Sequence, residues 1–155
     1  KIIAFRLKES SRLETRYDFH LFSFLIERWL TGEKVGNHCY GSLCYDLIKN
    51  NIEANRLLDM RTFHLLFDHK AALQKTVSYL MHTNKIDYNQ SLLHNIETLK
   101  KLTFISRNLF LKYNLKGTND DLGKQKILNN WEQLIHLDKE TYTQLMKILT
   151  AKKRL

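Results

Sequence analysis

Proline is absent from this sequence of 155 residues, and only five residues are glycine. Proline interrupts a helix by removing a backbone donor, and glycine weakens it through its conformational freedom. Few positions therefore force the chain to turn. Hydrophobic residues make up 43% of the sequence and aromatic residues 11%, which excludes a disordered chain and predicts a folded, helical domain.

The sequence also has few cysteines and no long apolar run. No stretch approaches the roughly 18 apolar residues that cross a membrane, so we predict no membrane span. Cys39 and Cys44 fall in one helical pattern, about 140° apart around the axis, which makes a mutual disulfide unfavourable. Reduced thiols are typical of intracellular proteins, and we predict a cytoplasmic or nuclear location. No signal-peptide pattern follows Lys1, and we expect the chain to be a piece excised from a longer protein.

Apolar residues recur with helical periodicity from residue 13 onwards. We predict an all-α fold, a compact irregular bundle of about six helices in one domain, 13–155, preceded by an N-terminal arm, 1–12. The predicted helices cover 13–31, 38–55, 60–82 and 87–116, then a fifth that begins near 118 and a sixth that begins at 138. Short linkers connect them, as in a helical bundle.

Capping residues set the predicted ends of these helices. The predicted N-caps are Asn37, Asp59, Asp87, Thr118 or Asn119, and Asp138. Gly32 and Gly117 are expected to end the first helix and the 87–116 helix, because glycine adopts the left-handed conformation of a C-terminal cap without strain.

The predicted helix at 87–116 is the longest, and we expect it to lie at the centre of the bundle. One face collects Leu92, Ile96, Leu99, Thr103, Phe110 and Tyr113. The opposite face carries Lys101, Asn108, Lys112 and Lys116. A stripe beside the apolar face contains Leu93, Phe104 and Leu111, which predicts neighbouring helices on more than one flank.

The formal net charge is +9, and it is unevenly distributed. Residues 17–96 carry equal numbers of acidic and basic groups, so the excess lies at the two ends and between 97 and 138. A localised positive field favours anionic partners: nucleic acid first, then acidic protein or membrane surfaces.

No catalytic or metal-binding pattern stands out. The histidine spacings lack the pairs that zinc sites on helices or di-iron bundles use, so we predict no metal and no cofactor. There is no glycine-bracketed nucleophile and no phosphate-binding glycine loop, and we predict that the protein is not an enzyme. A small helical RNase is a less favoured alternative, with Arg56 and His64, or Arg61 and His69, as an irregular Arg/His pair.

The sequence therefore favours a non-enzymatic interaction domain that contacts nucleic acid, or another polyanion, within a larger intracellular assembly. Basic residues would position phosphates without reading bases. The predicted binding residues are Lys101, Arg107, Lys112, Lys116, Lys124, Lys126, Lys152, Lys153 and Arg154. The main alternative is a docking module that holds a partner helix, in an assembly with other proteins, and in that case the lysines only confer solubility. Trp29 and Trp131 are interpreted as core residues, with an exposed anchor as the alternative for Trp29.

Overall fold

The computed structural model describes residues 18–36, 38–116 and 120–152. This part of the chain forms five helices and one antiparallel hairpin. In chain order the elements are α1 (Phe19–Thr31), β1 (Glu33–Val35), β2 (His38–Tyr40), α2 (Leu43–Glu53), α3 (Met60–His82), α4 (Gln90–Lys116) and α5 (Asp121–Lys152). The all-α prediction is confirmed, although about six helices was slightly too many. No described helix is both long and apolar enough to cross a bilayer.

The three long helices form the body of the molecule. α4 packs against α3 on one flank and α5 on the other, while α1 and α2 pack against α5. The predicted apolar face of α4 is buried at every position, from Leu92 to Tyr113. The helix at 87–116 was therefore correctly placed between its neighbours, because helical periodicity alone identifies the side that meets the core.

The core is divided into two apolar clusters. The α1 cluster contains Ile26, Leu73, Val77, Leu80, Met81, Ile86, Leu92, Ile96, Tyr142, Leu145 and Leu149. The α2 cluster contains Tyr45, Ile48, Ile52, Phe63, Phe110, Tyr113, Ile127, Trp131 and Leu134. Between them along α3, α4 and α5 lie buried polar residues, here called the polar layer: Lys70, Thr103, Ser106, Asp138 and Thr141.

The hairpin replaces the start of the predicted helix 38–55. β1 and β2 pair with Lys34 opposite Cys39, so Cys39 lies in a strand and only Cys44 lies in a helix. Both thiols are free, and the Cys44 thiol donates a hydrogen bond to the Cys39 carbonyl oxygen at 3.1 Å. The helix prediction was wrong here because Gly36 and Gly41 both adopt positive φ, which starts a turn rather than a helix.

α5 is one continuous helix, so the predicted boundary at Asp138 was wrong. Asp138 is buried and its carboxylate bonds to side chains of other helices instead of to its own backbone. No proline or glycine follows Gly123 within α5, so nothing in the backbone interrupts it. The N-cap of this helix is Asp120, whose carboxylate accepts a hydrogen bond from the Gly123 N–H at 2.9 Å.

The remaining helix ends show how far capping patterns predict boundaries. α3 begins and ends as predicted, and Asp59 caps it by accepting a hydrogen bond from the Arg61 N–H. α1 runs from Phe19 with Asp18 as its N-cap, and the predicted helical residues 13–17 lie outside the described part of the chain. α4 is capped by Asn89 rather than Asp87. The predicted arm 1–12 and the residues Asn37, Gly117, Thr118 and Asn119 lie outside the described residues.

Gly41 provides a test of this local structure. Its φ is +63°, and a Cβ added there would lie 2.6 Å from the Trp29 carbonyl oxygen, which accepts the Ser42 N–H. Gly36 has a similar φ of +58° but nothing within 4 Å of the added Cβ. We expect Gly36→Ala to cost about 1 kcal/mol of unfolding free energy and Gly41→Ala clearly more. Urea denaturation of both variants measures the difference, and equal losses would contradict the close contact with α1.

Candidate interaction surface

Four of the nine predicted basic residues form two exposed groups in the described part of the chain. Lys101 and Lys112 lie on the exposed side of α4. Lys116 is the last residue of α4, and Lys126 lies near the start of α5. The pKa of the Asp120 carboxyl is lowered chiefly by the hydrogen bond from the Gly123 N–H, then by Lys116, and least by Lys126. The Lys152 side chain, Lys153 and Arg154 lie outside the described part of the chain.

Two of the exposed lysines already have acidic partners. Lys101 is paired with Glu97 at 2.9 Å, and Lys116 with Asp120 at 3.3 Å. Exposed pairs of this kind are weak and exchange readily with solvent or a ligand. Among the predicted binding residues that the structure describes, Lys112 and Lys126 are exposed and have no ion-pair partner, so within this set they are the most available to a partner molecule.

The structure gives Arg107 and Lys124 internal contacts that the sequence did not suggest. The Lys124 ammonium donates hydrogen bonds to the Glu53 carbonyl oxygen and to Asn55 Oδ1, both at 2.8 Å, and so caps the C-terminal end of α2. The Arg107 guanidinium lies over the rings of Phe104 and Phe67, 4.8 and 5.5 Å from their centroids. Both residues therefore hold helices together.

The exposed side of α4 also carries large apolar residues. Phe104 and Ile105 are each 44% exposed, Leu111 is 48% exposed and Leu115 is 78% exposed. The prediction that α4 has neighbouring helices on more than one flank is confirmed, since α3 and α5 both pack against it and the Phe104 ring centroid lies 6.0 Å from that of Phe67 on α3. Phe104 and Leu111 nevertheless remain partly exposed. We call this surface the outer α4 face; it comprises Lys101, Phe104, Ile105, Asn108, Leu111, Lys112 and Leu115.

The polar layer contains an ion pair that the sequence interpretation missed. Lys70 Nζ lies 2.5 Å from Asp138 Oδ1, and both side chains are buried. The other carboxylate oxygen accepts hydrogen bonds from Trp29 Nε1 at 2.9 Å and from the Tyr45 hydroxyl at 2.8 Å. The sequence does indicate a buried lysine, because Lys70 lies seven residues after Phe63 and therefore on the same, core-facing side of α3.

Aromatic rings enclose this pair. Lys70 Nζ lies 4.6 Å from the Trp29 ring centroid and 4.7 Å from that of Tyr142. Burial lowers the pKa of Lys70, and the Asp138 carboxylate opposes that change. Burial raises the pKa of Tyr45 and Tyr142 well above the ordinary range, so both hydroxyls stay protonated. Trp29 is half-buried and held by Asp138, in keeping with the core interpretation.

His69 lies next to the pair on α3. Its ring centroid is 5.0 Å from that of Trp29, although part of the residue is exposed to solvent. Burial, followed by the nearby Lys70 ammonium, lowers the pKa of His69 to about 4. Arg61, its partner in the RNase alternative, donates from Nε and Nη2 to the Asp59 carboxylate at 2.8 and 2.5 Å. The guanidinium in that alternative is therefore already engaged.

A double-mutant cycle tests the buried pair. We expect Asp138→Asn to lower the unfolding free energy by roughly 3–5 kcal/mol, because it leaves the Lys70 ammonium buried without a counter-ion. Lys70→Met should destabilise as well, and the double variant should lose clearly less than the sum of the two changes. The exposed Lys101–Glu97 pair is the control, since its cycle should give a coupling of about 0.5 kcal/mol or less. Additive losses for Lys70 and Asp138 would contradict the pair.

The pKa of His69 predicts a pH dependence. With a folded-state pKa of about 4 against 6.5 for the free side chain, the unfolded chain binds more protons between these values. Stability from this group is therefore present above pH 6.5 and is lost as the pH falls towards 4. We expect His69→Phe, which keeps an aromatic ring beside Trp29 but cannot bind a proton, to reduce the loss of unfolding free energy between pH 6.5 and 4. Unfolding free energies of the two proteins at several pH values in this window make the comparison, and parallel curves would refute it.

No protein family, no curated protein and no solved structure matches this chain. Within the described ranges, no group of three or more His, Cys, Asp and Glu side chains is arranged to hold a metal ion. Functional inference therefore depends on the surfaces of the molecule itself.

Proposed function

We propose that this chain is a non-enzymatic helical interaction domain that binds an anionic partner through the outer α4 face and the adjoining corner with α5. The observation that carries the proposal is the position of Lys112 and Lys126, two exposed cations without ion-pair partners among the described residues. Lys101 and Lys116 add charge that is held only by exposed pairs.

The rigidity of α4 supports this proposal. The helix is anchored on both flanks by α3 and α5 and along its inner face by a fully buried row of side chains. The lysines of such a helix are attached to a backbone of fixed geometry, so little backbone entropy is lost when they pair with the charges of a partner. Nucleic acid, the partner class favoured by the sequence, would be held through its phosphates and without base recognition.

We also propose that the domain works inside the cell. Cys39 and Cys44 are both free and half-buried, which suits a reducing compartment.

Charge reversal tests the proposed surface. We expect the protein to bind at least one of three probes at about 50 mM salt, with weaker binding at about 200 mM: a single-stranded RNA, a duplex DNA or a polyglutamate peptide. Lys112→Glu with Lys126→Glu should weaken that binding at least about tenfold, because it replaces two attractions with two repulsions. Fluorescence anisotropy with labelled probes measures the affinities.

The matched control is Lys85→Glu with Lys147→Glu. Both of these lysines are exposed and lie beside the α1 cluster, at the other end of the bundle. Both double variants lower the net charge from +9 to +5, so they differ only in where the charge is reversed. Equal effects of the two variants would show that net charge alone governs binding, and no binding to any probe would reject the proposed function.

A further inference from the structure

The outer α4 face has the residue spacing of a coiled-coil seam. Steps of four and three residues alternate along Glu97, Lys101, Phe104, Asn108, Leu111 and Leu115. This is the a and d spacing of a heptad repeat, with Lys101, Asn108 and Leu115 at a and Glu97, Phe104 and Leu111 at d. Glu97 is paired with Lys101, so the apolar part of the seam runs from Phe104 to Leu115. The seam is about 27 Å long at 1.5 Å per residue, enough to contact a helix of roughly three heptads.

The seam faces away from the bundle. The positions opposite to it, f in the same register, are Leu99, Ser106 and Tyr113, and all three are buried. The α4 helix therefore uses one side to build this domain and leaves a second apolar side open. A solvent-facing helix surface is normally polar, so exposed Phe104, Leu111 and Leu115 in this spacing need a separate explanation.

The charges of the residues that flank the seam indicate the charge of a helix that would bind there. Flanking positions e and g hold Lys100, Arg107 and Lys112, together with the uncharged Thr98, Ile105 and Asn114, and no carboxylate. Lys112 is exposed, whereas Lys100 donates a hydrogen bond to Gln74 Oε1 at 3.1 Å and Arg107 lies over Phe67 and Phe104, so these two add positive charge beside the seam while contacting α3. A second copy of this chain would bring these cations against one another, which destabilises a coiled coil. A partner helix with Glu or Asp at its own e and g positions would pair with Lys112 and be attracted by the charge of the other two.

The apolar residues distinguish a protein helix from a nucleic acid. Phosphate contacts use cations and gain nothing from exposed aliphatic side chains. Leu111 and Leu115 lie within four residues of each other and next to Lys112, so one ligand would cover both apolar and charged groups. Burial of the apolar surface would drive association, and the flanking charges would select the partner.

We propose that the outer α4 face binds an amphipathic helix of another protein, apolar along one stripe and acidic on both sides of it. This inference rests on the proposed function, because it names the anionic partner of the same surface. Asn108 lies in the middle of the seam and would fix the register by facing a polar residue of the partner helix.

Two synthetic peptides of about 21 residues test the inference. The first has Leu at a and d, except for one central Asn at a, and Glu at e and g; the second has the same composition in scrambled order. We expect the domain to bind the first peptide at least about tenfold more tightly than the scrambled one and more tightly than an RNA or DNA probe. Isothermal titration calorimetry and an increase in helical circular dichroism on mixing report binding and helix formation.

Surface variants separate this inference from the proposed function. Leu111→Ser with Leu115→Ser should weaken peptide binding at least about tenfold, whereas Leu21→Ser with Leu25→Ser, on the exposed side of α1, should leave it unchanged. All four leucines are about half exposed or more, so both variants should fold, and thermal unfolding checks this.

Three outcomes would overturn the inference. In the first, the domain binds the scrambled peptide or nucleic acid, and this binding depends on Lys112 and Lys126 but not on Leu111 and Leu115. That result would reject the helix partner and leave the proposed function supported. Self-association that Leu111→Ser with Leu115→Ser abolishes would assign the seam to a second copy. Failure of every probe to bind rejects both proposals.

Discussion

The buried ion pair between Lys70 and Asp138 is the constraint on which the arrangement of the helices depends. It joins α3 to α5 at 2.5 Å, and Asp138 also holds Trp29 of α1 and Tyr45 of α2. Removing two charges from water is costly, and that cost is offset only when both have close partners. A helix that slipped by one turn would leave a charge buried and unpaired, so the pair selects one register for four helices.

The polar layer also explains why the core has two clusters. Along α3, Lys70 separates Phe63 of the α2 cluster from Leu73 of the α1 cluster. Along α4 and α5, Ser106 accepts a hydrogen bond from Asn130 Nδ2 at 2.6 Å, which satisfies a buried hydroxyl close to the same level. Apolar packing tolerates small shifts, whereas hydrogen-bonded pairs do not, so this layer aligns the two clusters. With the registers of α3 and α5 fixed, α4 is held between them and its outer side remains open.

Local patterns in the sequence predicted the parts of the fold that depend on local physics. The bounds of α3 and the buried face of α4 follow from a capping aspartate and from helical periodicity. The role of Asp138 did not follow, because an aspartate suits an N-cap and a buried pair equally until its partners are known. Likewise, only the tertiary structure shows that Lys124 caps α2 and that Arg107 covers two rings, so counting charges overstated the number of cations free to bind.

Charge and shape make different contributions to recognition at the outer α4 face. Cations attract many polyanions over a distance of about 10 Å at 0.1 M salt, and this attraction carries little information about the partner. The spacing of Phe104, Leu111 and Leu115 restricts the choice of partner more than the charges do, because only a ligand with matching apolar groups can bury these three side chains. Since Lys101 and Lys116 already have acidic neighbours, the electrostatic part of binding is smaller than the net charge of +9 implies. In the proposed complex the apolar seam must then supply much of the affinity, and for this reason we infer a helical partner rather than a phosphate backbone.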